Sequence, residues 1–380
     1  MGFKSIIFGL LIIVISFSAQ ATEVIKPYKD NENFFKLKAS HRDIKIMSLN
    51  AHNLYDTEHD EGFFDYTYLP IDHPAKETQC ETIKGYYKKL CLNLDWTKDR
   101  LFKKIGQLSK IIKGYGSLPD VLALQEIENS VVISTLAKNT GYKKFIVTDL
   151  DNRRGVDLAL LYQTRSLKYV NHTEIESPGR SVLRAHFTTK PSGKDLFIYV
   201  NHWVAQSAPT FLRVKTAEAI QEDINKLESE YHDPSIVMVG DFNTKFDEEE
   251  EVFNKSILNK DWSGHLVEAH ESSRKKYPEY GKYFPEGSYW RGKNKWERFD
   301  RIFLSNNLLK STSKLRADIK SYRLIYSTKL TGEYKYKVDK EDENSDEISV
   351  RYPLKYNFLE DPKYPLGFTD HLPSTIILKN

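Results

Sequence analysis

Several stretches of this chain place acid, amide or imidazole side chains directly after a run of apolar residues. The clearest is residues 236–243, where an unbroken apolar run leads into Gly240, Asp241, Phe242 and Asn243. Such a run is typical of a strand buried on both faces. Because Asp241 and Asn243 are two residues apart, an extended backbone directs both to one side. A carboxylate and an amide there suit phosphate or metal–water chemistry, although an Asx-turn that closes the strand is the simpler alternative.

Side chains of the same kind end the other predicted strands. They are Asn50, Gln125 with Glu126, Asn201 with His202, Asp300, and Asp370 with His371. Oxygen donors of this kind are the ligands that a hard divalent cation such as Mg²⁺ or Mn²⁺ prefers. Two histidines near carboxylates supply the general base and general acid that hydrolysis needs near neutral pH. The set therefore predicts metal-assisted attack of water on a phosphate ester.

The sequence lacks the motifs of two competing enzyme classes. It contains neither a glycine-rich phosphate loop nor a G-x-S-x-G elbow, which disfavours nucleotide kinases and serine hydrolases. A binding protein that has lost catalysis is the alternative outside the enzymes. Such a protein would be expected to lack a His or Asp from these strand ends, and none is missing.

Hydrophobic periodicity predicts the elements that must position these residues. Alternation over residues 44–50 predicts a half-buried strand, and the apolar run within 119–126 predicts a buried one. A helix between them is indicated by apolar residues from 101 to 112 at helical spacing. The order strand, helix, strand is typical of a layered α/β fold.

Later elements indicate that the sheets are mixed. Strands at 183–188 and 196–200 are separated by a turn at 191–195, so we expect them to pair antiparallel. A helix is predicted from about 211 to 227, and a last strand covers 375–378. Because neither an internal repeat nor a low-complexity linker is found, we expect a single domain over residues 22–380.

The N-terminus has the pattern of a secretory signal. Lys4 supplies a positive charge, residues 6–17 an apolar run, and Ala19-Gln20-Ala21 a small-x-small cleavage site. We therefore expect a signal peptide over 1–21, cleavage near Ala21, and a secreted or periplasmic mature protein. No second apolar segment is long enough to cross a bilayer, so stable membrane association is not expected.

Cysteine content and charge add two further expectations. Cys80 and Cys91 are the only cysteines, and behind a signal peptide they predict one disulfide, with a zinc site as the weaker alternative. Residues 52–95 show no sustained period, which predicts an inserted loop closed by that disulfide. The net charge of +3 neither demands nor forbids a polyanionic partner, so any nucleic-acid surface must be a local patch.

The order of the polar strand ends resembles the endonuclease/exonuclease/phosphatase superfamily, the deoxyribonuclease I-like fold. The matching motifs, spread over residues 44–378, are Asn50, Gln125-Glu126, Asn201-His202, Gly240-Asp241-Phe242-Asn243, Asp300-Arg301-Ile302 and Asp370-His371. Within that superfamily the chain is most similar to secreted bacterial nucleases. The resemblance implies a four-layer α/β sandwich of two mostly antiparallel, mixed β-sheets packed face to face with helices outside.

The resemblance also implies a metal site. Glu126 would be the principal ligand, and Asn50 and Asp370 would lie near the same ion. The implied cofactor is Mg²⁺, with Mn²⁺ or Ca²⁺ as alternatives.

Roles for the remaining motif residues follow in the same way. His371 resembles the base that activates water, and Asp300 the carboxylate that orients a catalytic imidazole. Asp241 and Asn243 resemble the pair that positions the nucleophile and the scissile phosphate. His202 resembles the imidazole that protonates the leaving oxygen or stabilises its charge.

Four further side chains are candidates for substrate binding, since arginine holds phosphate with its planar fork. They are Arg154, Gln206, Arg213 and Arg291. The resemblance implies a metal-dependent nuclease that hydrolyses phosphodiester bonds of DNA, with RNA as a further candidate substrate. We expect the protein to be a monomer. The alternative on the same fold is a sphingomyelinase-like or inositol-phosphate phosphoesterase.

Overall fold

The computed structural model describes residues 32–150, 152–290, 295–337 and 347–380. The predicted signal peptide and Arg291 lie outside these ranges. The chain folds into two compact units, of which the larger takes in residues 28–332 and 351–380 and the smaller includes 333–350. In the smaller unit, the hydroxyl of Ser349 donates a hydrogen bond to Glu333. All the motifs described above that lie in described residues belong to the larger unit.

Helices and strands are interspersed along the described part of the chain. The helices are α1 (Glu32–Phe35), α2 (Lys76–Glu81), α3 (Gly85–Asn93), α4 (Lys98–Gly114), α5 (Ser130–Thr140), α6 (Thr210–Glu230) and α7 (Ala269–Lys276). The strands are β1 (Ile44–Leu54), β2 (Val121–Ile127), β3 (Lys144–Val147), β4 (Asp157–Tyr162), β5 (Leu167–Ile175), β6 (Val182–Thr189), β7 (Asp195–His202), β8 (Ser235–Asp241), β9 (Leu266–Glu268), β10 (Ser288–Trp290), β11 (Lys295–Glu297), β12 (Asp300–Ser305), β13 (Arg316–Leu324), β14 (Thr331–Lys337), β15 (Glu347–Pro353) and β16 (Ser374–Lys379).

Twelve of these strands form two six-stranded sheets. The first has the order β13-β16-β1-β2-β4-β3, and the second has the order β5-β6-β7-β8-β12-β9. Each sheet contains one parallel pair, β1 with β2 and β7 with β8, beside antiparallel neighbours. The predicted antiparallel pairing of the strands on either side of residues 191–195 is confirmed in β6 and β7.

The two sheets face each other through their central strands. β1 and β2 of the first sheet contact β8 of the second, and β2 and β4 contact β7. Central strands are buried along their whole length, as in β4 and β8, which is why their sequences are nearly continuous apolar runs. The predicted α/β sandwich of two mixed sheets with helices is confirmed.

Helix α6 covers the outer face of the second sheet. Ala217, Ile220, Ile224 and Leu227 recur at helical spacing along α6 and join a buried cluster with Phe197 and other sheet residues. Strand β5, at an edge of this sheet, exposes most of its side chains. That exposure explains why periodicity did not predict β5.

The inserted segment at 52–95 contains regular structure that its sequence pattern does not indicate. A 3₁₀ turn at Tyr66–Tyr68 is followed by α2 and α3, and a disulfide joins Cys80 of α2 to Cys91 of α3. The predicted disulfide is confirmed, with 5.5 Å between the two Cα atoms. Among the described residues, no helix is long and apolar enough to cross a membrane.

Candidate active site

The two parallel strand pairs bring polar residues to adjoining edges of the sheets. Asn50 is in register with Gln125 in the first sheet, and Asp241 is in register with both His202 and Asp300 in the second. Gly240 makes this close approach possible, since its φ is +139° and an added Cβ would lie 2.0 Å from the carbonyl oxygen of Asn201. A side chain at position 240 would push β7 and β8 apart next to the site.

His371 stands between two carboxylates. Its Nδ1 is 2.8 Å from Oδ2 of Asp300, and its Nε2 is 3.7 Å from Oδ2 of Asp241. The hydroxyl of Ser288 donates to the same oxygen of Asp300 and lies 3.3 Å from Nδ1. The short contact assigns the proton on Nδ1 to the bond with Asp300, so Nε2 faces Asp241.

The carboxylates determine the charge of His371. Burial alone would lower the pKa of its imidazole, but Asp300, Asp241 and Asp370 hold that pKa well above its ordinary value. Conversely, burial raises the pKa of Asp241 to about 7, with His371 opposing and Asp300 and Glu126 adding to the rise. The charge of Asp241 thus raises the pKa of His371, and the charge of His371 opposes the rise in the pKa of Asp241.

Two amides orient the carboxylate of Asp241. Nδ2 of Asn50 donates to Oδ2 at 3.2 Å, and the backbone N–H of Asn243 donates to Oδ1 at 2.9 Å. Asn243 has a φ of +48° and donates its own Nδ2 to the carbonyl of Trp203. Gln206 donates to Oδ1 of Asn243 at 2.7 Å. These bonds hold the residues after β8 in one conformation at the mouth of the site.

His202 is the second imidazole of the site. Its Nε2 is 3.6 Å from Oε1 of Glu126 and 3.9 Å from Oδ2 of Asp241. Nη1 of Arg180 lies 2.6 Å from Nδ1 and 3.0 Å from Nε2. Burial, followed by the charges of Arg180, Arg154 and His371, lowers the pKa of His202 well below its ordinary value. His202 is therefore neutral, accepts from Arg180 at Nδ1, and carries its hydrogen on Nε2.

The predicted metal ligands lie beside this imidazole. Glu126 has a φ of +56°, and its side chain is 15% exposed. Oδ2 of Asp370 is 3.5 Å from Nε2 of His52, and both carboxylates interact electrostatically with His52 and with Lys104. The side-chain amide of Asn50 donates a hydrogen bond to Asp241, and its oxygen accepts one from the backbone N–H of His52. The structure thus gives Asn50 an orienting contact in addition to its predicted role as a ligand.

These residues suit one kind of cation better than another. Among described residues there is no group of three or more His, Cys, Asp or Glu side chains arranged to hold a metal. A structural Zn²⁺ needs four protein ligands, whereas Mg²⁺ binds through one or two carboxylates and keeps several waters or substrate oxygens. Glu126 is also without a hydrogen-bond donor in the described part of the chain. The carboxylate oxygens of Glu126 and Asp370 are ligands of the kind that a divalent metal ion takes.

Lys104 is a charged group near the site that the sequence analysis missed. Its ammonium is buried, has no hydrogen-bond partner among described residues, and lies 4.5 Å from the ring centroids of Tyr356 and Phe358. Burial lowers its pKa to about 7, which Asp370 and Glu126 oppose. A cation here offsets part of the charge of the two predicted ligand carboxylates.

Three of the four predicted substrate-binding residues lie in the described part of the chain, and their environments differ. Arg154 is exposed near His202 and donates to Oδ1 of Asn53, and Gln206 contacts Asn243. Arg213 is wrong as a substrate ligand, because it is fully buried and its Nη2 is 2.6 Å from Oε1 of Glu248. Arg213 lies four residues before Ala217 on α6, so helical spacing places it on the buried face.

Comparisons with known proteins bear on this geometry. The profile of the Endonuclease/Exonuclease/phosphatase family matches residues 45–380. The chain belongs to this family. Members of the Endonuclease/Exonuclease/phosphatase family are hydrolytic phosphoesterases and generally use divalent metals. A search of curated proteins finds no match.

Solved structures of the family share the fold. The human Nocturnin catalytic domain with bound sulfate is 16% identical with a TM-score of 0.51, covering 92% of this chain and 96% of that one. Humanized D. rerio TDP2 is 15% identical with a TM-score of 0.50, covering 89% and 100%. Bacteroides thetaiotaomicron mannosyl-6-phosphatase is 14% identical with a TM-score of 0.50, covering 88% and 99%.

Ser288 and Arg180, like Lys104, contact or lie near the site but were not predicted as site residues from the sequence. Ser288 was noted only as part of a longer similar stretch, and Arg180 lies in the loop between β5 and β6 with no local motif. Ser288 could have been suspected from its position twelve residues before Asp300 on the preceding hairpin. No sequence signal pairs Arg180 with His202, because their contact depends on how the loop folds over β7.

Proposed function

We propose that this protein is an exported, Mg²⁺-dependent nuclease that hydrolyses phosphodiester bonds of DNA, with RNA as a further substrate. One observation carries the proposal. Two imidazoles, His202 and His371, lie 3.9 and 3.7 Å from the same oxygen of Asp241, and Oε1 of Glu126 lies 3.6 Å from Nε2 of His202. This arrangement can place a phosphate between a proton acceptor and a hydrogen-bond donor.

The acceptor is the Asp241–His371 pair. Asp300 fixes the ring of His371, and Asn50 and Asn243 fix the carboxylate of Asp241, so the attacking water meets a preorganised group. Asp241, whose pKa burial raises to about 7, takes the proton of that water as the new P–O bond forms and the bond from phosphorus to the leaving oxygen breaks. The expected role of His371 as a base is thus shared with Asp241.

The donor is His202. Because Arg180 contacts Nδ1, the hydrogen on Nε2 is directed toward Glu126 and Asp241, where a phosphoryl oxygen would sit. A neutral imidazole with a lowered pKa is a poor reservoir of protons, so His202 stabilises charge on phosphate or leaving oxygen by hydrogen bonding. Mg²⁺ bound by Glu126 and Asp370 would supply Lewis-acid neutralisation of phosphoryl charge.

Related structures support a phosphoester substrate in general terms. The compared structures include the human Nocturnin catalytic domain with a bound sulfate anion and a mannosyl-6-phosphatase, and their fold is the one that surrounds Glu126 and His371 here. The choice of a nucleic-acid diester rests on the resemblance of the motifs to secreted nucleases. A sphingomyelinase-like or inositol-phosphate phosphoesterase remains the alternative that the assay must separate.

The test is a substrate panel with the purified mature protein. Supercoiled plasmid, single-stranded DNA, RNA, sphingomyelin vesicles and an inositol phosphate are each incubated with Mg²⁺ and with EDTA. We expect cleavage of DNA that EDTA abolishes, and loss of cleavage in His202→Ala and His371→Ala but not in the control His172→Ala on the exposed strand β5. Turnover of sphingomyelin or inositol phosphate without nucleic-acid cleavage would overturn the proposal.

Export and a monomeric state belong to the same proposal. The N-terminal pattern of Lys4, an apolar run and Ala19-Gln20-Ala21 supports removal of the first residues during secretion. Mass spectrometry of protein recovered outside the cytoplasm should find a mature N-terminus at Thr22. Light scattering should give the mass of one chain, and a dimer mass or an intact N-terminus would contradict these two points.

A further inference from the structure

The inserted hairpin of α2 and α3 exposes aromatic rings that the proposed chemistry does not use. Residues 84–89, here called the tyrosine–lysine tip, read Lys84-Gly85-Tyr86-Tyr87-Lys88-Lys89. Tyr86 is 63% and Tyr87 70% exposed, and their rings meet edge to face at 5.7 Å. Exposed tyrosines on a short hairpin closed by a disulfide have no packing role to explain them.

The hairpin is fixed rigidly to the turn that precedes it. Nζ of Lys76, buried at the start of α2, donates to the carbonyl oxygens of Tyr66, Thr67 and Leu69 at 2.9, 3.0 and 2.7 Å. All three ammonium hydrogens are therefore used. The disulfide between Cys80 and Cys91 ties α3 to α2. The tip is thus held in place relative to the turn at Tyr66–Tyr68.

The 3₁₀ turn at Tyr66–Tyr68 is itself connected to residues near the active site. The ring of Tyr68 stacks on that of Tyr55, with centroids 4.2 Å apart and an interplanar angle of 11°. The hydroxyl of Tyr55 donates to the backbone oxygen of Arg154 at 2.7 Å. Arg154 interacts electrostatically with Tyr87 of the tip as well as with His202. This series of contacts therefore connects the hairpin to Arg154, whose charge acts on His202.

Lysines accompany the exposed rings. Lys84 and Lys89 are exposed, and Nζ of Lys355 is 5.9 Å from the ring centroid of Tyr86. Among described residues, none of these three lysines has a carboxylate within 4.0 Å, whereas Lys88 pairs with Glu81. Aromatic faces on which bases stack, next to cations that contact the backbone, are what single-stranded nucleic acid binds without sequence preference.

The composition of the tip favours nucleic acid over a membrane. A segment that enters a bilayer interface presents large aliphatic side chains, Phe or Trp on its apolar face. Residues 84–89 contain none of these, and both aromatic rings carry a hydroxyl. Rings of this kind suit a partner that is itself flat and polar at its edges, as a nucleobase is.

Building on the proposed nuclease function, we propose that the tyrosine–lysine tip is a stacking surface for bases of a single strand whose phosphate lies at the active site. Tyr86 and Tyr87 contact bases, and Lys84, Lys89 and Lys355 contact phosphates. The surface would raise affinity for unpaired strands and would leave the chemistry at His202 and His371 unchanged.

The experiment measures binding separately from cleavage. Fluorescence anisotropy of a fluorescein-labelled oligothymidylate is recorded with the full mature chain in EDTA, which prevents turnover. The variants are Tyr86→Ala/Tyr87→Ala, the conservative Tyr86→Phe/Tyr87→Phe, and the control Tyr169→Ala, which removes a partly exposed tyrosine of β5 that is also preceded by a lysine. Hydrolysis of bis(p-nitrophenyl) phosphate, which has no strand to stack, is measured for each with Mg²⁺ or Mn²⁺.

We expect the double alanine variant to bind the oligonucleotide about tenfold more weakly or worse, since it removes both rings on which bases stack. The double phenylalanine variant and Tyr169→Ala should bind as the parent does, and all variants should hydrolyse the small diester equally. Parent-like binding by the double alanine variant, or an equal loss in Tyr169→Ala, would overturn the inference.

Two further outcomes are distinct. If no variant and no parent hydrolyses any diester, the nuclease proposal fails, while the binding data still decide whether the tip stacks bases. If the double alanine variant loses binding to sphingomyelin or anionic vesicles but keeps oligonucleotide affinity, the tip serves a membrane surface and the inference is wrong.

Discussion

Nδ1 of His371 lies 2.8 Å from Oδ2 of Asp300, and this contact turns the other ring nitrogen toward Asp241. Asp300 thereby sets both the orientation and the charge of the imidazole. The same carboxylate oxygen accepts the hydroxyl of Ser288. Three residues from β10, β12 and the loop before β16 thus act as one unit.

Asp300→Asn should lower kcat by about 10²- to 10⁴-fold, because the amide no longer fixes the tautomer or supports the charge of His371. The double variant Asp300→Asn/His371→Ala should lose little more than either single variant, since the two residues act together. Steady-state kinetics on a DNA diester checks this, with Asp318→Asn on β13 as control. Fully additive losses would show that Asp300 and His371 act independently.

Ser288→Ala should have a smaller effect, about five- to tenfold in kcat with little change in KM, because it removes one of several hydrogen bonds to Asp300. Ser288→Thr keeps the hydroxyl and should retain most of the activity. The comparison is made by kcat and KM on the same substrate. A KM effect without a kcat effect would place Ser288 in substrate binding.

Arg180→Met should raise the pKa of His202 toward its ordinary value. Burial lowers that pKa most, and the charge of Arg180 adds to it, so the methionine variant retains only part of the shift. An NMR titration of the His202 ring in each protein measures the difference, with Lys226→Met on α6 as the matched loss of a cation. Identical titration curves would contradict the contact between Nη1 and the ring.

Glu126, His202 and Asp241 could be singled out because each lies at the end of an apolar run that marks a buried strand. His371 lies in the loop before β16 and was singled out by its place in the motif order instead. Lys104 could not be singled out, since its contacts with Tyr356 and Phe358 join distant parts of the chain and depend on packing. Arg213 was predicted to bind substrate because it follows His202 closely in the sequence. Its position on α6 instead places it on the buried face of that helix.

Hydrophobic periodicity also did not predict the helices α2 and α3. Few of their residues are buried, so no apolar stripe marks a helix, and the disulfide and Lys76 hold them in place. Strand β5 was missed for the same reason at a sheet edge. Hydrophobic periodicity indicates which side chains are buried. A segment that is held in place by hydrogen bonds or a disulfide therefore shows little periodicity.

Asp157 provides a pH test of stability that does not depend on catalysis. Burial raises its pKa to about 7, although Thr148 and the backbone N–H of Leu150 donate to its Oδ1. Because the folded pKa lies above the unfolded value of 3.8, the folded state binds the proton more tightly. Its contribution to stability is therefore complete below pH about 4 and is lost as the pH rises toward about 7.

Asp157→Asn keeps the accepting oxygen without the buried charge. Above pH 7 the variant should be more stable than the parent, by up to about 4 kcal/mol, and the difference should disappear near pH 4. Urea unfolding at several pH values measures it, with Asp195→Asn on β7 as a half-exposed control. A difference that grows as the pH falls would contradict the assignment.

The most direct test of the account is the Mg²⁺ dependence of DNA cleavage by the parent and by Glu126→Gln, with Glu218→Gln on α6 as control. Parent and control should cleave only with added metal. Glu126→Gln, folded by circular dichroism, should lose at least about 100-fold in rate and need at least about tenfold more Mg²⁺ for half-maximal activity. Cleavage by Glu126→Gln at the parent rate and at the same Mg²⁺ concentration would contradict a metal-assisted site built on Glu126.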